Sequence, residues 1–196
     1  MKIILPVAMV VAVLFSTVLS FPARGKAMTD AEGREVKLPD SIRHVICSGA
    51  GCLRLLTYLQ GQHLIVAVDD MEKRRPIFDA RPYALANPQF KNYPLFGEFR
   101  GYDNPELIMT LNPQPQAIFK TFSMMGHNPE KLQKKTSIPV LALEYGDLSN
   151  HRNSFYQSLR IMGKVVNKER RAEEIISFLL RGGQGIELVD NSAKTL

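Results

Sequence analysis

The sequence predicts an α/β fold: a three-layer lobe built on a mostly parallel central sheet of about four or five strands. Three observations carry the prediction. Leu64–Val68 is a continuous aliphatic run of strand length, the pattern of a strand covered on both faces, and Ile138–Leu143 reads as a further strand. Segments with apolar residues at helical spacing alternate with such runs. Tyr102–Lys120 holds a complete helix–strand unit. Asn104 can cap the helix through its side-chain oxygen, and Pro105 suits a first helical position, where no N–H is needed. Glu106 complements the helix dipole, and Leu107, Ile108 and Leu111 form one apolar face. Asn112 can take a left-handed stop before Pro113, and Ala117–Phe119 reads as a buried strand.

In chain order, Met1–Ala27 has the form of a secretory signal. Lys2 gives the positive start, Ile3–Phe21 is uncharged and apolar, and Gly25-Lys26-Ala27 offers small residues for cleavage. The apolar run also approaches the length of a membrane anchor. Thr29–Leu38 reads as a hairpin turning at Ala31-Glu32-Gly33. His44–Cys47 is the first core strand. The Ser48–Gly51 turn leads into a helix over Cys52–Gln60, which ends at Gly61. Arg54 stands where a dinucleotide-binding G-x-G-x-x-G would need its third glycine.

Asp69 and Asp70 end the Leu64–Val68 strand, and the charged run to Arg75 follows on the ligand edge of a parallel sheet. Asp79–Ala86 suits a short helix, and Leu95–Gly97 a short strand. Asn128-Pro129-Glu130 opens a helix to Lys135 with the same cap as at Asn104. Phe155, Leu159, Met162 and Val166 stripe a helix over Asn150–Met162, with Gly163 as its stop. Ala172, Ile175, Ile176 and Leu179 stripe another over Lys168–Arg181, which Gly182-Gly183 should break, leaving an irregular tail.

Composition bounds the function. The 196 residues suffice for one domain with a substantial core, and 45% hydrophobic content is that of a globular protein. The formal charge of +6 falls to about +3 without Lys2, Arg24 and Lys26, too small a bias to imply nucleic acid. The only cysteines are Cys47 and Cys52. Export permits a disulfide, whereas the turn between them can hold them apart or aim them apart. Met124, Met125 and His127 could ligate a soft metal, but their simpler role is packing. No Walker motif or nucleophile elbow is present, and His44, His63, His127 and His151 fall in different elements.

The pattern Pro-Glu-Leu-Ile … Leu-x-Pro-x-x-Ala-Ile at residues 105–118, with the opening hairpin and the Ile-Arg-His-Val-Ile strand at 42–46, resembles the N-terminal lobe of periplasmic substrate-binding proteins for iron complexes and cobalamin. These proteins serve ABC importers. The resemblance covers nearly all of Met28–Leu180. It implies a leader or anchor over 1–27, a binding lobe over 28–167, the start of an inter-lobe helix over 168–181 and a tail over 182–196, with the family's second lobe lacking. It implies no enzyme activity and no resident cofactor, the ligand being a ferric chelate or corrinoid. The partners implied are a membrane permease and that small ligand, in the periplasm or at the outer face of the cytoplasmic membrane. By analogy the ligand residues border the strand ends: Ser48, Gly49, Asp70, Arg74, Arg81, Arg100, Tyr102 and Tyr145. The arginines would pair with ligand oxygens, the tyrosines would pack or hydrogen-bond, and the Ser48-Gly49 turn would offer backbone N–H groups. An exported α/β enzyme and a membrane-anchored partner-binding module are the alternatives.

Overall fold

The computed structural model describes residues 25–74, 79–121 and 124–193, with side chains to residue 182. The apolar N-terminal run lies outside the described residues.

The chain opens with an antiparallel hairpin, β1 (Lys26–Thr29) and β2 (Glu35–Leu38), pairing Met28 with Val36. The cleavage point expected after Ala27 falls inside β1. Asp30, buried in the turn, fixes the hairpin. Its Oδ1 accepts from the Glu32 and Arg34 amides, both at 3.0 Å. Its Oδ2 accepts from Arg34 at 2.5 Å and from the Ala142 amide at 3.0 Å. One carboxylate thus closes the turn and docks the hairpin on the sheet.

β3 (Val45–Ser48) leads through the glycine turn into α1 (Cys52–Tyr58), then β4 (Ile65–Asp69). A one-turn helix, α2 (Pro82–Leu85), precedes β5 (Leu95–Glu98) and the two-residue β6 (Tyr102–Asp103). α3 (Pro105–Thr110), β7 (Ala117–Thr121), α4 (Pro129–Thr136) and β8 (Val140–Leu143) follow. α5 (Arg152–Val165) and α6 (Glu169–Ala193) complete the chain. The sheet has six strands in the order β6-β5-β4-β3-β7-β8, parallel except for the β5–β6 pair. The chain builds outward from β3 on one side, then returns to build on the other. The strand order therefore switches between β3 and β7, where an open α/β sheet leaves a crevice at its carboxyl end.

Alternation along the strands makes the layers. Cys47, Ala117, Phe119, Leu141 and Leu143 pack with α1, α5 and α6, while Ile46, Ile118 and Val140 pack with Ile108 of α3 and Leu132 of α4. Both Asn-Pro-Glu starts are caps as expected: Asn104 Oδ1 accepts from the Leu107 amide at 3.0 Å, and Asn128 Oδ1 from the Lys131 amide at 2.8 Å.

Four sequence expectations are corrected. The sheet gains β6, whose two residues are too few to show a period. α3 stops through an extended Leu111 rather than a left-handed Asn112. α5 runs through Gly163, because that glycine serves contact instead of termination: a Cβ there would stand 3.0 Å from Ala172 Cβ of α6. The left-handed residue of the α5–α6 turn is Asn167, at φ 55°. α6 continues through Gly182 and Gly183 to Ala193. Each glycine costs a helix only about 1 kcal/mol relative to alanine, which weakens a helix without ending it.

Candidate ligand cleft

At the carboxyl ends of β3 and β4 lies an open cleft of about 440 Å³. Its first wall is the glycine turn. Gly49 has φ +88°, and a Cβ there would fall 2.5 Å from the Thr121 carbonyl oxygen. Gly51 has φ +77°, and a Cβ there would run into the Tyr145 ring. Both positions therefore require glycine, for conformation and for space. Thr121 Oγ1 ties the turn to β7 by donating to Ala50 O at 3.0 Å.

Beneath this wall is a buried ion pair. Lys120 and Asp103 side chains are wholly inaccessible, and Lys120 Nζ donates to Asp103 Oδ2 at 2.5 Å, Gly101 O at 2.9 Å and Ser48 Oγ at 3.3 Å. One ammonium thus joins β7, β3, β6 and the Phe99–Tyr102 loop. Asp103 Oδ1 is buried with no hydrogen-bond partner among the described residues.

The second wall is an acid-rich cluster around Arg81. Arg81 Nε and Nη2 grip Asp79 at 2.8 and 2.5 Å. Nη1 donates to Glu72 Oε1 and to the Tyr83 hydroxyl, each at 2.8 Å, and Nη2 also reaches Met71 O at 3.3 Å. These account for all five guanidinium donors. Tyr83 in turn donates to Glu72 Oε1 at 2.8 Å. Burial and the Glu72 charge push the Tyr83 phenol well above its ordinary value. Asp69, at the end of β4, is pushed up to about 7, chiefly by burial and then by the Glu72 charge. The Met71 amide, at 3.1 Å from Asp69 Oδ1, opposes that rise.

Arg54 and Tyr145 form the rim. Arg54 Nη2 donates to the Tyr145 hydroxyl at 3.2 Å, and its guanidinium carbon lies 5.5 Å from the ring centroid. Arg54 Nε is buried and lacks a partner among the described residues. The rim continues into a groove of about 950 Å³ between α1, the loop after β8 and α6, where Phe178 is 68% exposed.

The eight residues expected at the site separate. Gly49, Arg81 and Tyr145 line the cleft. Ser48 lies below it, fully buried, with its hydroxyl accepting from Lys120 Nζ. Arg81 faces the cleft with its five guanidinium donors bonded within the protein. Asp70 and Tyr102 border a different hollow beside His127. Asp70 Oδ1 accepts from the Phe99 amide at 2.7 Å, and Oδ2 accepts from Arg74 Nε at 2.7 Å, so Arg74 is paired. Arg100 is exposed, with its guanidinium 5.1 Å from the Phe99 ring centroid. Arg54 is the residue that sequence reasoning missed. Its signal was position: it sits in the first turn of the helix behind the glycine turn. Met124 is 95% exposed, and His127 Nε2 lies 2.9 Å from Lys135 Nζ. Among the described residues, no group of three His, Cys, Asp or Glu could hold a metal ion, and no helix is long and apolar enough to cross a membrane.

No family model matches the chain, and no curated protein sequence matches it. Solved structures do match in fold. A periplasmic solute-binding protein from Veillonella parvula aligns at a TM-score of 0.68 and 20% identity, over 83% of this chain and 47% of that one. The Vibrio cholerae periplasmic catecholate-siderophore binding protein VctP aligns at 0.63 and 22% identity, over 87% and 55%. The Haemophilus influenzae molybdate periplasmic binding protein MolA, bound to molybdate, aligns at 0.60 and 21% identity, over 77% and 49%. The chain has the fold of one lobe of these proteins and spans about half their length.

Proposed function

We propose that this chain is a solute-binding lobe of an ABC importer, taking up an iron complex of siderophore type or a related metal chelate. The observation that carries the reading is the placement of the cleft. It opens at the carboxyl ends of β3 and β4, beside the switch in strand order, in a lobe with the fold of periplasmic binding proteins. Its walls supply what an oxygen-rich chelate would use. The glycine turn brings backbone close to the space, Arg54 brings a guanidinium whose Nε has no partner among the described residues, and Tyr58, Tyr83, Phe99 and Tyr145 offer aromatic surface.

The chain covers about half of the matched proteins, and a second lobe would close the cleft over the ligand. The groove between α1 and α6, which shares Arg54, Tyr58 and Tyr145 with the cleft, is where such a lobe would seat. This lobe alone leaves much of a ligand wet, so its own affinity is weak. Under this proposal the protein is exported and works against a membrane permease.

The test is calorimetric titration of the purified chain with a ferric tricatecholate, haem and cobalamin. Saturable binding of one of them, weakened at least several-fold by Arg54→Ala, supports the reading. No heat from any of the three at high micromolar concentration contradicts it.

A further inference from the structure

Cys47 and Cys52 stand at the two ends of the glycine turn, and the fold places both in one buried cluster. Cys47 is in β3, paired in parallel register with Phe119 of β7. Its side chain and that of Phe119 enter the same cluster beneath α1. Cys52 is the first residue of α1, and its Sγ donates to the Phe119 carbonyl at 3.5 Å. Both sulfurs therefore lie beside one residue, Phe119, on one face of the sheet. The turn between them passes through Gly49 and Gly51, both at positive φ, and both cysteines end in the same buried cluster. Both thiols are free and buried in this structure, Cys52 fully and Cys47 at 4% exposure.

We propose that Cys47 and Cys52 form an oxidisable pair that closes to an intramolecular disulfide as the chain folds in an oxidising compartment, stapling the turn that makes one wall of the cleft. The oxidant is a small disulfide such as oxidised glutathione. One cysteine thiolate attacks a glutathione sulfur and expels a glutathione thiolate, leaving a mixed disulfide. The second cysteine attacks the protein-side sulfur and expels the second glutathione. The protein loses two electrons and two protons, and one glutathione disulfide becomes two thiols.

Closure belongs to folding and not to the finished lobe. Burial, the Cys52 neighbour and the Asp69 charge push the Cys47 thiol up, so in the native lobe Cys47 is poorly nucleophilic and both sulfurs are shielded by burial. Once closed, the bond is out of reach of soluble thiols.

The test refolds the reduced, denatured full chain in mixed reduced and oxidised glutathione, then alkylates it in denaturant. The expected product takes up no alkylating agent, weighs two hydrogen atoms less than the reduced chain, and yields peptides joined between Cys47 and Cys52. Two alkylated cysteines, two glutathione adducts or a disulfide-linked dimer would overturn the proposal. A second measurement uses Cys52→Ala, which should refold with Cys47 free or as one glutathione adduct and without the mass loss. The mass loss persisting in that variant also overturns it. Neither measurement involves ligand, so this proposal and the binding-lobe reading fail independently.

Discussion

Replacing Lys120 with methionine removes the one cation that joins four segments under the cleft. Methionine keeps the length and apolar stem but leaves the Asp103 carboxylate in a dry site, where Oδ1 already has no partner among the described residues. Gly101 O and Ser48 Oγ lose a donor as well. Breaking a buried pair on one side costs about 3–5 kcal/mol, because an uncompensated charge stays behind. Domains of this size are stable by roughly 5–15 kcal/mol, so Lys120→Met removes a large share of the total. Adding Asp103→Leu should recover most of the loss, since a buried pair replaced by apolar residues is often neutral. The assay is urea unfolding at pH 7 followed by far-UV circular dichroism, with the double-mutant cycle completed by Asp103→Leu alone. The single variant is expected to lose at least about 3 kcal/mol, and the double variant to return to within about 2 kcal/mol of the parent. A loss below about 1 kcal/mol in Lys120→Met, or a double variant no more stable than the single, would refute the assignment of a dry, structural ion pair. Trypsin cleavage at the exposed Arg100 should accelerate in Lys120→Met, because its loop is no longer held through Gly101.

Asp69 makes stability depend on pH. Its folded value of about 7 lies above the ordinary 3.8, so between those limits the folded state holds a proton that the unfolded state has released. Stability therefore falls as pH rises through that window, by at most about 1.4 kcal/mol per pH unit. Asp69→Asn should flatten that slope, and equal slopes in both proteins over pH 4–7 would exclude the buried acid. Asn104→Ala should cost about 1 kcal/mol in urea unfolding through loss of the bond to the Leu107 amide, and a change within error would mean the cap is idle. Gly51→Ala should cost about 1–2 kcal/mol or more, since φ +77° is strained for alanine and the added Cβ meets Tyr145. Unchanged stability in that variant would show the turn to be relaxed.

What could be read from the sequence was local. Asn104, Pro105 and Glu106 announce a helix start because a cap needs only its own next three residues. The strands at 65–69 and 140–143 were legible because a run buried on both faces has no polar alternation. The candidate site was legible in position more than in role. The carboxyl-end rule pointed to the glycine turn and to Tyr145, and both line the cleft. Arg81 could not be read as a self-satisfied group, since its partner Glu72 lies nine residues away across the chain fold. Ser48 and Lys120 are further apart still, separated by 72 residues and joined only when β3 pairs with β7. Gly163 shows a third limit: a glycine that admits a neighbouring helix has the same letter as one that ends its own.

Under the proposed function a metal chelate enters at the carboxyl ends of β3 and β4 and meets the Gly49–Arg54 segment. The most direct measurement is amide hydrogen exchange of the full chain with and without saturating ferric tricatecholate. Exchange is expected to slow over residues 49–54 and 145–148, with the Asp70–Tyr102 hollow unchanged and the slowing lost in Arg54→Ala. Protection confined to that hollow, or none at a concentration that saturates the calorimetric signal, would contradict it.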